Sequence, residues 1–96
     1  MAEYARVVTF EADDAAIDAL VGEINSADGA PEDLPVTRIA VLADRSAGKL
    51  VVATRFASEE DLRRGGAMLE AMSPPETGSI RRVSVDEYEV LLERQA

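Results

Sequence analysis

The order of elements predicts an α+β domain of βαββαβ topology: a four-stranded antiparallel sheet, ordered 4-1-3-2, with two helices on one face. Three observations carry this. Short runs rich in Val, Ile, Thr and aromatics alternate with two helical stretches in that order. The two middle runs are joined by a short polar loop containing glycine, a hairpin signal. Both faces of the inner strands are apolar, although two helices can cover only one of them.

The first strand is read from Tyr4 to Glu11. Asp13 or Asp14 then offers a carboxylate to the free amides of a helix start. Ile17, Leu20, Val21 and Ile24 follow at i, i+3, i+4, i+7 and share one helical face, with Asp18 and Glu23 off the stripe. The helix is expected to end between Asn25 and Gly29, where glycine accepts a left-handed cap; Pro31 and Pro35 bracket the next loop. Val36 to Ala43 and Leu50 to Ala57 form the hairpin around Asp44-Arg45-Ser46-Ala47-Gly48-Lys49. Ser58-Glu59-Glu60-Asp61 opens the second helix as a near capping box, with three acids at the positive end of its dipole. Leu62, Leu69 and Met72 continue it, Glu59–Arg63 and Glu60–Arg64 pair on its wet side, and Pro74-Pro75 stop it. Gly78 precedes a last strand from Ser79 to Leu92, with a break expected near Asp86-Glu87.

Two right-handed crossovers joined by a hairpin place strands one and three at the centre of the sheet. In the second strand Ile39, Val41 and Ala43 oppose Ala40 and Leu42; in the third, Leu50, Val52 and Phe56 oppose Val51 and Ala53. The helix-free face therefore also wants burial, and the simplest cover is the same face of a second copy across a two-fold axis. A homodimer is the expectation.

Composition narrows function chiefly by exclusion. Ninety-six residues make one domain, spanning 1–96, and a chain so short gains from pairing. The formal charge is −9, from 19 acidic and 10 basic residues, which argues against nucleic acid and against anionic membrane surfaces. The chain has no Cys and no His, which removes thiol nucleophiles, disulfides, Cys/His metal centres and imidazole acid–base chemistry. No basic-then-apolar leader and no membrane-length apolar run is visible, so the cytoplasm is the expected compartment. No metal and no cofactor are expected.

The opening Tyr4-Ala5-Arg6-Val7-Val8-Thr9-Phe10, the Asp44-Arg45…Gly48 hairpin leading to Thr54-Arg55-Phe56, the Ser58 to Arg63 helix start, Ala71-Met72-Ser73-Pro74-Pro75 and the terminal Val85-Asp86-Glu87-Tyr88-Glu89-Val90 together resemble the dimeric α/β-barrel (ferredoxin-like) superfamily. The likeness covers nearly the whole chain and is greatest to small uncharacterised members near the antibiotic-biosynthesis monooxygenase group. It implies two sheets packed face to face as a barrel, with a pocket between each sheet and its helices. Such relatives include cofactor-independent oxygenases of aromatic polyketides, haem-degrading enzymes and isomerase- or dehydratase-like members. The haem-degrading pattern uses an Asn, a Trp and a His. This chain has neither Trp nor His, and its one Asn, Asn25, lies at the end of the first helix, so that activity is not expected. The oxygenase pattern of Trp and Tyr is met only in its Tyr. Fold does not fix function.

The ligand-pocket candidates are Arg6, Phe10, Thr54, Phe56, Met68 and Tyr88; no residue is assigned as catalytic. Arg6, in the middle of a central strand, would be costly to bury unpaired, so it orients a ligand or forms a salt bridge with Glu87 or Glu89. Arg55 is similar, and Arg38 is expected to be solvated on an edge. Tyr4 and Tyr88 either hydrogen-bond a ligand, or serve as an acid if their pKa is lowered, or fill a core margin. Thr54 has strand formation as its plainer role. Gly65-Gly66 inside a helix costs about 1 kcal/mol per glycine relative to alanine. The pair marks either a close approach or a kink opening a pocket lined by Met68 and Met72. The acids at 13–14 and 59–61 are explained by helix starts rather than by a cation.

Two functions remain open. One is a binder of a small apolar or aromatic molecule between sheet and helices, lined by Phe10, Ile17, Phe56, Met68 and Leu69, with a cofactor-independent monooxygenase-like enzyme as its catalytic form. The other is a non-catalytic assembly or accessory domain with a filled interior. Scarce bulky side chains leave room for a cavity and tip the balance toward the binder.

Overall fold

β1 (Glu3–Ala12) lies between β3 (Lys49–Phe56) and β4 (Ile80–Val90), antiparallel to both, and β2 (Val36–Asp44) closes the far edge. The order β2-β3-β1-β4 is the expected 4-1-3-2 read from the other side. α1 (Asp14–Ser26) and α2 (Glu59–Glu70) are the two crossovers. The computed structural model describes residues 2–26, 33–72 and 78–95. The readings at Gly29, Pro31 and Pro74-Pro75 lie outside the described residues.

The cap of α1 is Asp13. Its Oδ1 accepts from the Ala16 amide at 2.9 Å and its Oδ2 from the Ser79 amide at 3.0 Å, so one carboxylate starts the helix and fastens β4 to it. Asp14 is free for other work and pairs with Arg45 of the hairpin, as does Asp18. The α1 stripe meets the sheet as its spacing requires. Ile17 and Ala16 are buried with Ala12 and Leu50, and Phe10, Leu20, Val41 and Ile80 pack around them. At α2, Ser58 Oγ accepts from the Asp61 amide at 3.1 Å.

The β2–β3 turn is tightened by Asp44, whose carboxylate accepts from the Ser46 hydroxyl and the Ala47 amide and is thereby held below its ordinary pKa. Gly48 completes it at φ +64, a left-handed conformation that favours glycine.

Three details differ from the sequence reading. β4 runs unbroken through Asp86-Glu87; the irregularity lies where Thr9 pairs with Ser84 and Phe10 with Arg82, leaving Val83 as an extra residue. β4 stops at Val90, opposite Glu3, because β1 offers no further partner. Arg64 pairs with Asp61, one turn back at i−3, rather than with Glu60.

Register fixes the two faces. Arg6, Val8 and Phe10 of β1 align with Thr54, Val52 and Leu50 of β3 on the helix-covered side. Ala5, Val7 and Thr9 align with Arg55, Ala53 and Val51 on the other, joined by Ala40 and Leu42 of β2 and by Tyr88 of β4. No helix covers that second face. Leu42 is 55% and Tyr88 54% exposed on it.

Candidate functional site

The two glycines of α2 have different surroundings. A Cβ built on Gly65 would fall 2.3 Å from Cε1 of Phe56, so Gly65 is where the helix sits down on the sheet. A Cβ on Gly66 would lie 3.7 Å from Cδ and Nε of Arg6 and 3.8 Å from a Glu87 oxygen, an ordinary contact distance. Gly66, itself buried, thus lies within van der Waals reach of the Arg6 side chain and lines a groove beside it. Of the two expectations for the pair, the close approach holds, at Gly65; α2 runs unbroken through both glycines, and neither Met68 nor Met72 lines the groove beside Gly66.

That groove runs between α2 and β4. It has a volume of about 550 Å³ and is lined by Arg6, Arg63, Gly66, Ala67, Glu70, Val85, Asp86 and Glu87. A second hollow of about 270 Å³ shares Arg63 and Glu87 with it and adds Tyr4, Glu59, Leu62, Tyr88 and Glu89. The two together form one cleft along the β4 edge.

Arg6 is the charged residue at the base of this cleft, with its side chain 7% exposed. Its Nη2 donates to Glu70 Oε1 at 2.7 Å. The bonded partner is therefore Glu70 of α2 rather than Glu87 or Glu89, although Glu87 stands opposite Arg6 on the same face of the sheet. The same Glu70 oxygen accepts from Arg82 Nη1 at 2.6 Å. Held by Arg82 first and Arg6 second, the Glu70 carboxyl lies below its ordinary pKa. Arg63 is engaged by Glu59 at 3.2 Å. The Tyr4 hydroxyl donates to Glu59 at a long 3.5 Å, and its pKa is raised by partial burial and then by the Glu59 and Glu89 charges. Tyr4 is consequently a hydrogen-bond donor at neutral pH; the lowered pKa that acid catalysis would call for is not found.

Of the six candidates, the structure puts Arg6 in the main groove and the others elsewhere. Phe56 is fully buried under Gly65. Phe10 packs beneath α1. Thr54 is buried with its hydroxyl donating to the Arg6 carbonyl at 3.3 Å, which steadies the strand beside Arg6. Met68 is half-buried on α2. Tyr88 borders the smaller hollow but pairs with Ala5, whose helix-free face it shares. The groove residues not among the six candidates are Arg63, Gly66, Ala67, Glu70, Val85, Asp86 and Glu87. Of these the sequence signalled Gly66, as a glycine inside a helix, and Glu87, as a partner for Arg6.

The cleft supplies ion pairing and hydrogen bonding against small apolar surfaces. Among the described residues no three acidic side chains cluster as a cation site. Among the described residues no helix is long and apolar enough to cross a membrane.

No family model matches the sequence, and no curated protein matches it. Solved structures do match, among them the following two. A mutant of MhuD with two manganese protoporphyrin IX molecules bound per active site has a TM-score of 0.65 and 19% identity, over 97% of this chain and 99% of that one. Rv0793 from Mycobacterium tuberculosis has a TM-score of 0.51 and 15% identity, over 98% of each chain. Likeness along the full length, with identical strand order to the one read from the sequence, establishes that this chain has the ferredoxin-like fold of these two proteins.

Proposed function

We propose that this chain binds a small, largely apolar or aromatic molecule in the α2–β4 groove, with the molecule's polar head on Arg6, and that it does so as a homodimer paired through the helix-free faces. The observation that carries the reading is the nearly buried Arg6 guanidinium at the base of a groove that Gly66 lines. Binding sites are concave and oriented by convergent polar groups; here Gly66, Ala67 and Val85 supply the apolar surface and Arg6 the buried polar group. The interior proper is filled by Phe56, Ile17 and Leu50, so the ligand lies against the β4 edge rather than beneath the helices. The dimer is supported by the apolar helix-free face.

Porphyrin is bound by the MhuD mutant, and the residues here do not fit it. The chain offers neither His nor Cys to an iron centre. Glu59, Glu70, Asp86, Glu87 and Glu89 line the cleft around one nearly buried cation, Arg6, and would repel the second of a porphyrin's two propionates. Catalysis is less well supported than binding, since Tyr4 holds its proton and Arg6 is ion-paired.

The test is a thermal-shift titration with 2-naphthoate and neutral aromatics. A ligand of the folded state raises Tm with concentration. The rise should be lost in Gly66→Val, whose side chain enters the groove. Equal binding by that variant, or no shift with any aromatic probe, would remove the reading. A second reading, a non-catalytic assembly domain, is favoured by the filled interior and by Leu91 and Leu92, 86% and 83% exposed beyond β4; it gains if the probes fail while the chain recruits a partner through those leucines.

A further inference from the structure

The two members of the Arg6–Glu70 pair are unlike. Arg6 is held in the floor of the groove, 7% exposed, whereas Glu70 is 47% exposed at the last turn of α2. Glu70 also has a second cation, Arg82, 2.6 Å from the same oxygen and itself 48% exposed. Arg6 depends on Glu70 for its ion pair; Glu70 does not depend on Arg6.

We propose that Arg6 is a carboxylate-binding subsite, that Glu70 is its resident occupant, and that a ligand carboxylate binds by displacing Glu70 onto Arg82. The proposal rests on the groove being the ligand site and adds the ligand's chemical class and the side chain that gates it.

Four physical points support exchange. A guanidinium presents a planar fork of donors matched to a carboxylate. Two carboxylates crowded on one shielded cation repel each other, so the ligand replaces Glu70 rather than joining it. Glu70 leaves at little cost, because it keeps Arg82 and returns to water, and exposed ion pairs are weak. Arg6 cannot be left bare so cheaply, because a buried unpaired cation is strongly unfavourable. A neutral ligand therefore leaves Glu70 in place, and only an anion can take its seat. Gly66 supplies the approach, since any atom beyond a Cβ at that position would stand over the guanidinium. The remaining acids of the cleft, Glu87 among them, select against a dianion.

The experiment is calorimetric titration of 2-naphthoate and its neutral counterpart 2-naphthamide into wild type, Glu70→Gln and Glu87→Gln, with circular dichroism confirming that each variant is folded. Glu87→Gln removes the same charge from the same groove, at the position opposite Arg6, while leaving the Arg6–Glu70 hydrogen bond in place. Glu70→Gln should bind naphthoate about tenfold more tightly, a coupling of ordinary size for competing ligands. Its naphthamide affinity should be unchanged, and Glu87→Gln should give a distinctly smaller gain for naphthoate. Equal gains in the two variants would reduce the effect to general charge and overturn the gate while leaving the groove as a ligand site. A gain for naphthamide as large as for naphthoate would do the same. Binding of neither probe to any folded variant would overturn the groove itself, and the gate with it.

Discussion

Phe56 Cε1 lies 2.3 Å from where a Cβ would stand on Gly65, and the ring is fully buried. One residue on, the same hypothetical atom at Gly66 has 3.7 Å of room. Adjacent glycines in one helix thus differ: a methyl would clash at the first and fit at contact distance at the second.

Gly65→Ala and Gly66→Ala are therefore predicted to differ in sign. At Gly65 the methyl overlaps a ring with no room to retreat, and overpacking of this kind costs about 1–3 kcal/mol. That exceeds the roughly 1 kcal/mol gained from better helix propensity. At Gly66 the gain stands unopposed. Urea denaturation should give a lower midpoint for Gly65→Ala than for wild type and a higher one for Gly66→Ala. A higher midpoint for Gly65→Ala would mean that the helix does not press on Phe56.

Asp13 and Asp14 are predicted to be unequal despite their adjacency. Asp13 accepts from the Ala16 and Ser79 amides, holding α1 and β4 together at the start of both. Asp13→Ala should cost about 1–2 kcal/mol, as lost caps do. Asp14 is 71% exposed and pairs with Arg45, which also has Asp18, so Asp14→Ala should cost under about 0.5 kcal/mol. Chemical denaturation of the two variants checks the difference, and equal losses would count against the cap.

The fold was legible in the sequence because its signals are local and periodic. Ile17, Leu20, Val21 and Ile24 mark a helix face, and Ser58 marks a helix start, whatever else surrounds them. The strand order then follows from the handedness of crossovers. The groove was less legible. Arg6 stood out as a charge in an apolar strand, but its partner Glu70 lies 64 residues away on a helix end, where an acid has no helical reason to be. The strand irregularity escaped as well: Asp86-Glu87 disrupts the apolar pattern without disrupting pairing, while the extra residue Val83 has strong strand propensity and gives no outward sign.

The proposed dimer predicts a particular response at Leu42. This residue lies opposite Val51 on the helix-free face and is 55% exposed in the single chain. Leu42→Glu should therefore leave the fold of one chain nearly unaffected, within about 0.5 kcal/mol, while placing a charge in the apposed faces. Sedimentation equilibrium should give about twice 10.3 kDa for wild type and about one chain mass for the variant. A wild-type monomer at micromolar concentration would remove the dimer.

Glu93 predicts a pH dependence with a definite sign. Beyond β4 the chain crosses toward the far strands, and Glu93 accepts from Arg55 Nη2 at 2.5 Å and from Arg38 Nη1 at 2.7 Å. Chiefly through Arg55, its carboxyl is held below the ordinary value of 4.5. A depressed carboxyl pKa means that the unfolded chain takes up the proton first. The stabilisation is then complete above 4.5 and is lost as pH falls through the lower folded value. The global charge complicates wild type taken alone, because acid also relieves the repulsion of a −9 chain. The difference between wild type and Glu93→Gln cancels most of that background. Urea midpoints should show wild type ahead by a constant margin from about pH 7 to about pH 5, and the margin should shrink steadily below 4.5. A margin that instead grew with acid, or was absent at neutral pH, would show that Glu93 does not hold Arg55 and Arg38 in solution. The tail carrying Leu91 and Leu92 would then have no anchor on the sheet.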